Sequence, residues 1–179
     1  MFLDRDGVLN EKLPEGQYVR TPAELRTLSG AGAAVARLNR AGLRVLVVSN
    51  QRGIALGLYS AADVERVHAY LGQQLSADGA HIDAFYFCPH DRLECGCRKP
   101  LPGMFEQART DFPDITAASS VMIGDSLSDI EFGKRLGMAT VFIAGGRESR
   151  NAGAEDAAAL ADLRFPSLAE AVQALVDAG

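Results

Sequence analysis

Five short apolar runs, Met1–Leu3, Leu43–Val48, Ile82–Phe87, Val121–Ile123 and Met138–Ile143, punctuate the chain. They are rich in Val, Ile and Phe, and hydrophobicity within them is largely continuous rather than alternating. That is the pattern of strands covered on both faces, as in a parallel sheet. Amphipathic stretches with readable ends lie between them. Gly30–Arg40 closes at Gly42, and Ala61–Ala77 follows Ser60, carries Asp63 in capping-box position and stops at Gly79. Pro102 opens a further helix at its first position. Ser126–Leu136 ends at Gly137, Ser167 caps Leu168–Val176, and a short strand is expected at Leu163–Phe165. Ala152–Ala161 is Ala-rich and compatible with helix. Alternation of strand and helix at this spacing predicts a doubly wound α/β fold, with a mainly parallel Rossmann-like sheet, helices on both faces and right-handed crossovers. There is no internal repeat and no interdomain linker, so we expect one domain over 1–179 with inserted loops.

The 179 residues suffice to bury a core. A net charge of -5 argues against a nucleic-acid or anionic-membrane surface, since both need clustered Lys and Arg. No apolar run approaches the roughly 20 residues of a membrane span. Met1-Phe2-Leu3 runs straight into Asp4-Arg5-Asp6, which is not a secretion signal, so a cytoplasmic monomer is expected.

Polar residues of catalytic type follow the strands. Asp4 succeeds the first run, Ser49 the second, Cys88 the third and Gly124-Asp125 the fourth. In open α/β sheets ligands bind outside those carboxyl ends. Singly, Ser49 reads as a turn residue or helix cap and Asp125 as a helix cap; four coincidences at one sheet edge make that account poor. Two carboxylates at i and i+2, leaving a strand, can serve one site, one attacking while the other moves a proton. They repel a phosphate unless a cation intervenes. Asp125 adds a third carboxylate, suited to Mg²⁺, which neutralises and aligns phosphate. Gly7 allows a tight turn beneath the phosphate, Lys99 stabilises charge on a transferring phosphoryl group and Ser49 donates a hydrogen bond to it.

Asp4-Arg5-Asp6-Gly7-Val8-Leu9-Asn10, Val47-Val48-Ser49-Asn50-Gln51, Arg98-Lys99-Pro100 and Gly124-Asp125-Ser126-Leu127-Ser128-Asp129 resemble the four ordered motifs of the haloacid dehalogenase superfamily, over roughly residues 1–145. The resemblance implies Asp4 as nucleophile, Asp6 as general acid/base and Mg²⁺ held by Asp4, Asp125 and the Asp6 carbonyl. It puts Ser49 and Lys99 at the phosphate-binding positions and Asp129 where it would orient Lys99. The alternative for Asp129 is a solvated helix residue.

Cys88-Pro89-His90 and Cys95-Gly96-Cys97 offer three thiolates and one imidazole, a full tetrahedral set for structural Zn²⁺. The alternative is three reduced thiols and an exposed histidine. All three cysteines and one of three histidines share this loop, which favours the metal. The loop, 88–99, would stiffen Arg98 and Lys99. It resembles the superfamily branch of heptose-bisphosphate and histidinol-phosphate phosphatases. There, by resemblance, Glu15, Gly16, Gln17, Tyr18, Ser49, Asn50, Gln51, Arg52, Arg98 and Lys99 contact substrate. The chain departs from that branch in having Ser126 where Lys is common, a shorter stretch between His90 and Cys95, and a first strand of minimal length. Neither Asn10–Leu28 nor Cys88–Lys99 has room for a large cap domain. His68 and His81 read as helix-surface and turn residues. The expectation is a small-molecule phosphatase acting on a sugar bisphosphate at its 7-phosphate. Histidinol phosphate is the alternative substrate, a zinc-stiffened binding module the non-enzymatic rival, and a polynucleotide 3′-phosphatase is disfavoured by charge. Arg52, Arg98 and Lys12 supply charge for a second phosphate, whereas a cationic substrate would call on Glu11, Glu15 or Glu94.

Overall fold

In the computed structural model, which describes residues 1–145 and 153–177, six strands form one sheet in the order β3-β2-β1-β4-β5-β6, every pair parallel. The strands are β1 (Phe2–Leu3), β2 (Leu46–Asn50), β3 (Ala84–Cys88), β4 (Val121–Gly124), β5 (Ala139–Ile143) and β6 (Leu163–Phe165). The helices are α1 (Ala31–Arg40), α2 (Ala61–Ser76), α3 (Gly103–Asp111), α4 (Leu127–Leu136), α5 (Ala154–Leu160) and α6 (Leu168–Asp177). Registry explains why the runs are continuous in hydrophobicity. Leu3 aligns with Val47 and Ile123 and packs against the α1, α2 and α6 side, whereas Phe2 aligns with Leu46 and Met122 and packs against α3 and α4. No helix of the described residues is long and apolar enough to cross a membrane.

Strand β2 is displaced from its expected position, Leu43–Val48, to Leu46–Asn50. Pairing in β2 begins at Leu46, because the Asp83 carboxylate accepts from Val45 N–H at 2.7 Å and Leu43 is exposed at the end of the turn after α1. The strand then runs on through polar Ser49 and Asn50, paired with Phe87 and Cys88. Backbone pairing extends past the last apolar side chain, to the sheet edge where function is built. Pro102 takes the cap position of α3 rather than its first turn. The segment Ala152–Ala161 is helical over Ala154–Leu160, and its first residue lies outside the described residues. His68 is a correction. It is buried rather than on the helix surface, because it shares the stripe of Val64, Val67, Leu71 and Leu75 on α2 and stacks on Phe85 at 4.7 Å.

The chain winds from β1 outward to β3 in one direction, and from β4 outward to β6 in the other. The point of reversal is the β1–β4 pair. The connections leaving that end of the sheet, 4–30 and 89–102, contain no helix beyond the short 3-10 turn Pro22–Glu24. Among the described residues no cap domain covers the edge.

Candidate active site

Asp4 leaves β1 still tied to β4, its N–H donating to the Ile123 carbonyl at 2.9 Å. Asp125 leaves β4 next door, and both carboxylates are buried. Lys99 comes from the far side of the Cys/His loop. Its ammonium donates to Asp4 Oδ1 at 2.8 Å and to the Val48 carbonyl oxygen at 2.7 Å, and forms an ion pair with Asp129 Oδ1 at 2.6 Å. Burial opposes the charge on Lys99, but the carboxylates of Asp129 and Asp4 outweigh it and raise the ammonium pKa. Burial pushes Asp4 up to about 7, with Lys99 working against the rise and Asp129, Asp125 and Asp6 adding to it. Asp129 is fully buried, not solvated. Its second oxygen accepts from the Ser126 hydroxyl at 2.6 Å and the Ser126 N–H at 3.1 Å, closing a capping box on α4. The helix cap therefore also fixes the partner of the catalytic-type lysine. A side chain at Gly124 would place its Cβ 2.2 Å from that of Asp129.

Arg5 bends inward and is almost wholly buried. It holds both Asp6 oxygens at 2.9–3.0 Å, while Asn10 Nδ2 donates to Asp6 at 2.9 Å and Gln51 Nε2 at 3.3 Å. Burial alone would raise the Asp6 pKa; Arg5 and these donors overcome it and hold the carboxylate below its usual range. Lys12 reaches back across the site to both oxygens of Asp125, at 2.8 and 2.9 Å. Gly7 lets the loop pass under Asp125: its φ is +89°, and a Cβ there would fall 2.3 Å from Asp125 Oδ2.

The residues expected to contact substrate divide into buried braces and an exposed rim. Ser49 is buried and its hydroxyl accepts from Gln51 Nε2 at 2.7 Å. Gln51 in turn accepts from the Tyr59 hydroxyl at 2.9 Å. Asn50 grips the Lys99 backbone from both sides, accepting from its N–H at 2.9 Å and donating to its carbonyl at 3.1 Å. Arg98 is half-buried, with Nη1 shielded from solvent and lacking a hydrogen-bond partner. Glu15, Gly16 and Gln17 are exposed, and the Tyr18 ring tilts against Tyr59 at 5.8 Å.

Comparison with known proteins bears on this arrangement. The chain is 41% identical over 171 residues to the D-glycero-alpha-D-manno-heptose-1,7-bisphosphate 7-phosphatase of Mycobacterium tuberculosis (strain ATCC 25618 / H37Rv), covering 95% of this chain and 87% of that protein. The chain belongs to the haloacid dehalogenase-like phosphatases. A HAD-hydrolase-like family profile matches residues 96–171. The D-glycero-beta-D-manno-heptose-1,7-bisphosphate 7-phosphatase of Rhodopseudomonas palustris is 40% identical over 145 residues, 76% of this chain and 78% of its own length. The crystal structure of D,D-heptose 1,7-bisphosphate phosphatase from B. bronchiseptica, complexed with magnesium and phosphate, superposes with a TM-score of 0.86 at 30% identity. That match covers 100% of this chain and 98% of the other.

In this phosphatase the Cys/His loop gathers its four ligand-type atoms within 4.8 Å of one another. The sulfurs of Cys88, Cys95 and Cys97 are separated by 2.9–3.4 Å, and His90 Nδ1 lies 3.3 Å from Cys97 Sγ. A tetrahedral zinc–thiolate set, with bonds of about 2.3 Å, spaces its sulfurs by about 3.8 Å, so slight expansion would admit the ion. Desolvation opposes ionisation of Cys95, yet the N–H groups of Arg98 and Cys97 and the neighbouring thiols draw it down to about 7. Arg5, Asn10 and Tyr59, which brace Asp6 and Gln51, escaped the sequence reading. The available signal was an arginine between two aspartates, too charged for an ordinary core position unless paired.

Proposed function

We propose that the phosphatase cleaves D-glycero-D-manno-heptose 1,7-bisphosphate at its 7-phosphate through a phosphorylated Asp4. The convergence of Asp4, Asp125 and Lys99 at the reversal point of the sheet carries the chemistry; the heptose-bisphosphate phosphatase relatives support the substrate. An Asp4 oxygen attacks phosphorus, the bond from phosphorus to the sugar oxygen breaks, and Asp6 gives that oxygen its proton. Asp6 then takes a proton from water as the water attacks the same phosphorus, releasing phosphate and regenerating Asp4. An attacking carboxylate must be ionised, and Lys99 presses Asp4 that way against its burial. Asp6 must begin protonated although Arg5, Asn10 and Gln51 favour its anion. A dianionic phosphoryl group beside it raises its proton affinity, so the acid form arises when substrate arrives.

The donor set of Asp4, Asp125 and the Asp6 carbonyl is all oxygen, which fits Mg²⁺; when bound it would neutralise phosphate charge and the repulsion between carboxylates. Three sulfurs and one imidazole fit a structural Zn²⁺ with no open position. Arg52, Arg98 and the loop from Glu15 to Tyr18 form the wall for the sugar and its second phosphate, where a guanidinium can grip an anion with two bonds. The decisive experiment is a phosphate-release screen, with and without Mg²⁺, over both anomers of the heptose bisphosphate, hexose bisphosphates and histidinol phosphate. Heptose bisphosphate should give the highest kcat/KM; a higher value for histidinol phosphate overturns the sugar reading and leaves only the phosphatase.

A further inference from the structure

Between His90 and Cys95 of the metal-type loop stands Asp91, a residue with no part in the ligand set. Its Oδ1 accepts from Arg52 Nε at 2.5 Å and from the Arg92 N–H at 2.6 Å, and its Oδ2 accepts from Arg52 Nη2 at 3.1 Å. The Asp91 N–H donates to Glu94 Oε2 at 3.1 Å, fixing the aspartate within the loop. Arg52 belongs to a different connection, the one after β2, so this pair is a bridge between two walls of the site.

The geometry of the bridge is one-sided. A guanidinium offers five N–H groups on a planar fork. Asp91 engages the edge made by Nε and Nη2, and the edge made by Nη1 and the second Nη2 proton is left for another planar or tetrahedral anion. A free arginine would lose much of its rotamer freedom on gripping such an anion; one already held by Asp91 loses less.

We propose that Asp91 is a positioning residue: it presets Arg52, so that the Cys/His loop governs preference for substrates carrying a second anionic group. The inference rests on the reading of Arg52 as a substrate contact. Its test compares kcat and KM for heptose 1,7-bisphosphate and for p-nitrophenyl phosphate, which has no second anion, using the full chain with its metals. Asp91→Asn keeps the shape and removes the charge. It should lower the ratio of the two kcat/KM values about tenfold, mainly through KM of the bisphosphate, the scale of one charge-assisted hydrogen bond. Asp91→Glu should restore part of the ratio. In an Arg52→Ala background Asp91→Asn should add less than about a twofold change, because the two residues act as one unit. If Arg52→Ala lowers the ratio and Asp91→Asn does not, the substrate contact stands and the positioning role falls. If Arg52→Ala leaves the ratio unchanged, both readings fall together. Loss of bound zinc from Asp91→Asn, in step with the lost selectivity, would also overturn the inference, since loop collapse would then account for the effect.

Discussion

A single ammonium, that of Lys99, stabilises two buried carboxylates at the centre of the site, and this sets the expected behaviour of its neighbours. Lys99→Met should leave Asp4 and Asp129 buried without a counter-charge and cost about 3–5 kcal/mol, read as a lower urea midpoint with the m-value unchanged. Asp129→Asn removes one of the two charges and should cost less. For the chemistry, Asp4→Asn should reduce turnover by several orders of magnitude, whereas Asp6→Asn should slow it and leave phosphorylated Asp4 detectable by mass spectrometry, because hydrolysis of the intermediate needs the base. More than about a tenth of wild-type turnover in Asp4→Asn would contradict the nucleophile assignment, since one tenfold step is only about 1.4 kcal/mol of barrier. At this scale the sequence was legible where polar residues end apolar runs, as with Asp4 and Asp125. It was mute where a side chain reaches across the fold. Asn50 clamping Lys99, Arg5 folding onto Asp6 and Tyr59 holding Gln51 depend on how loops meet, and no local spacing encodes that.

Among elements, the connection after β3 stands out because it carries two of the three thiols, with Cys88 ending the strand, and directly afterwards Arg98 and Lys99. Cys95→Ser should abolish bound zinc in elemental analysis. Thermal stability should fall before turnover of p-nitrophenyl phosphate does, since the Lys99 backbone is also held by Asn50 at 2.9 and 3.1 Å. Full zinc content in that variant would remove Cys95 from the ligand set. Strands and helices themselves were largely readable, because parallel strands buried on both faces leave unbroken apolar runs and helices announce their caps. An apolar run ends at Val48, but the β2 ladder continues through Ser49 and Asn50 by backbone pairing alone, which side-chain hydrophobicity does not signal. The burial of His68 is signalled by its spacing from Val64 and Leu71, which puts it on the buried stripe of α2 despite its polar ring.

For the molecule as a whole, His68 supplies a dependence of stability on acid. Burial, with a smaller push from Arg5, lowers its pKa to about 3 from the usual 6.5, and its Nε2 has no hydrogen-bond partner. The unfolded chain binds this proton below about pH 6.5 and the folded chain does not until about pH 3. The folded state therefore loses stability as pH falls through that window, by at most about 1.4 kcal/mol per unit from this group. His68→Phe, which can keep the stack on Phe85, should flatten that part of the curve. Denaturant titrations of both proteins between pH 7 and 5 would show the difference, and parallel curves would refute it. The sheet order has another consequence. Asp4 and Lys99 come from the connections after β1 and β3, but Asp125 and Asp129 arrive only with β4 and α4, β4 inserting beside β1 after β2 and β3 have been laid down. A chain still emerging from the ribosome carries Asp4 with neither the Asp125 carboxylate beside it nor the acid that anchors Lys99. Phosphatase activity should thus report that synthesis has passed α4, with every N-terminal fragment that stops short of α4 expected to be silent.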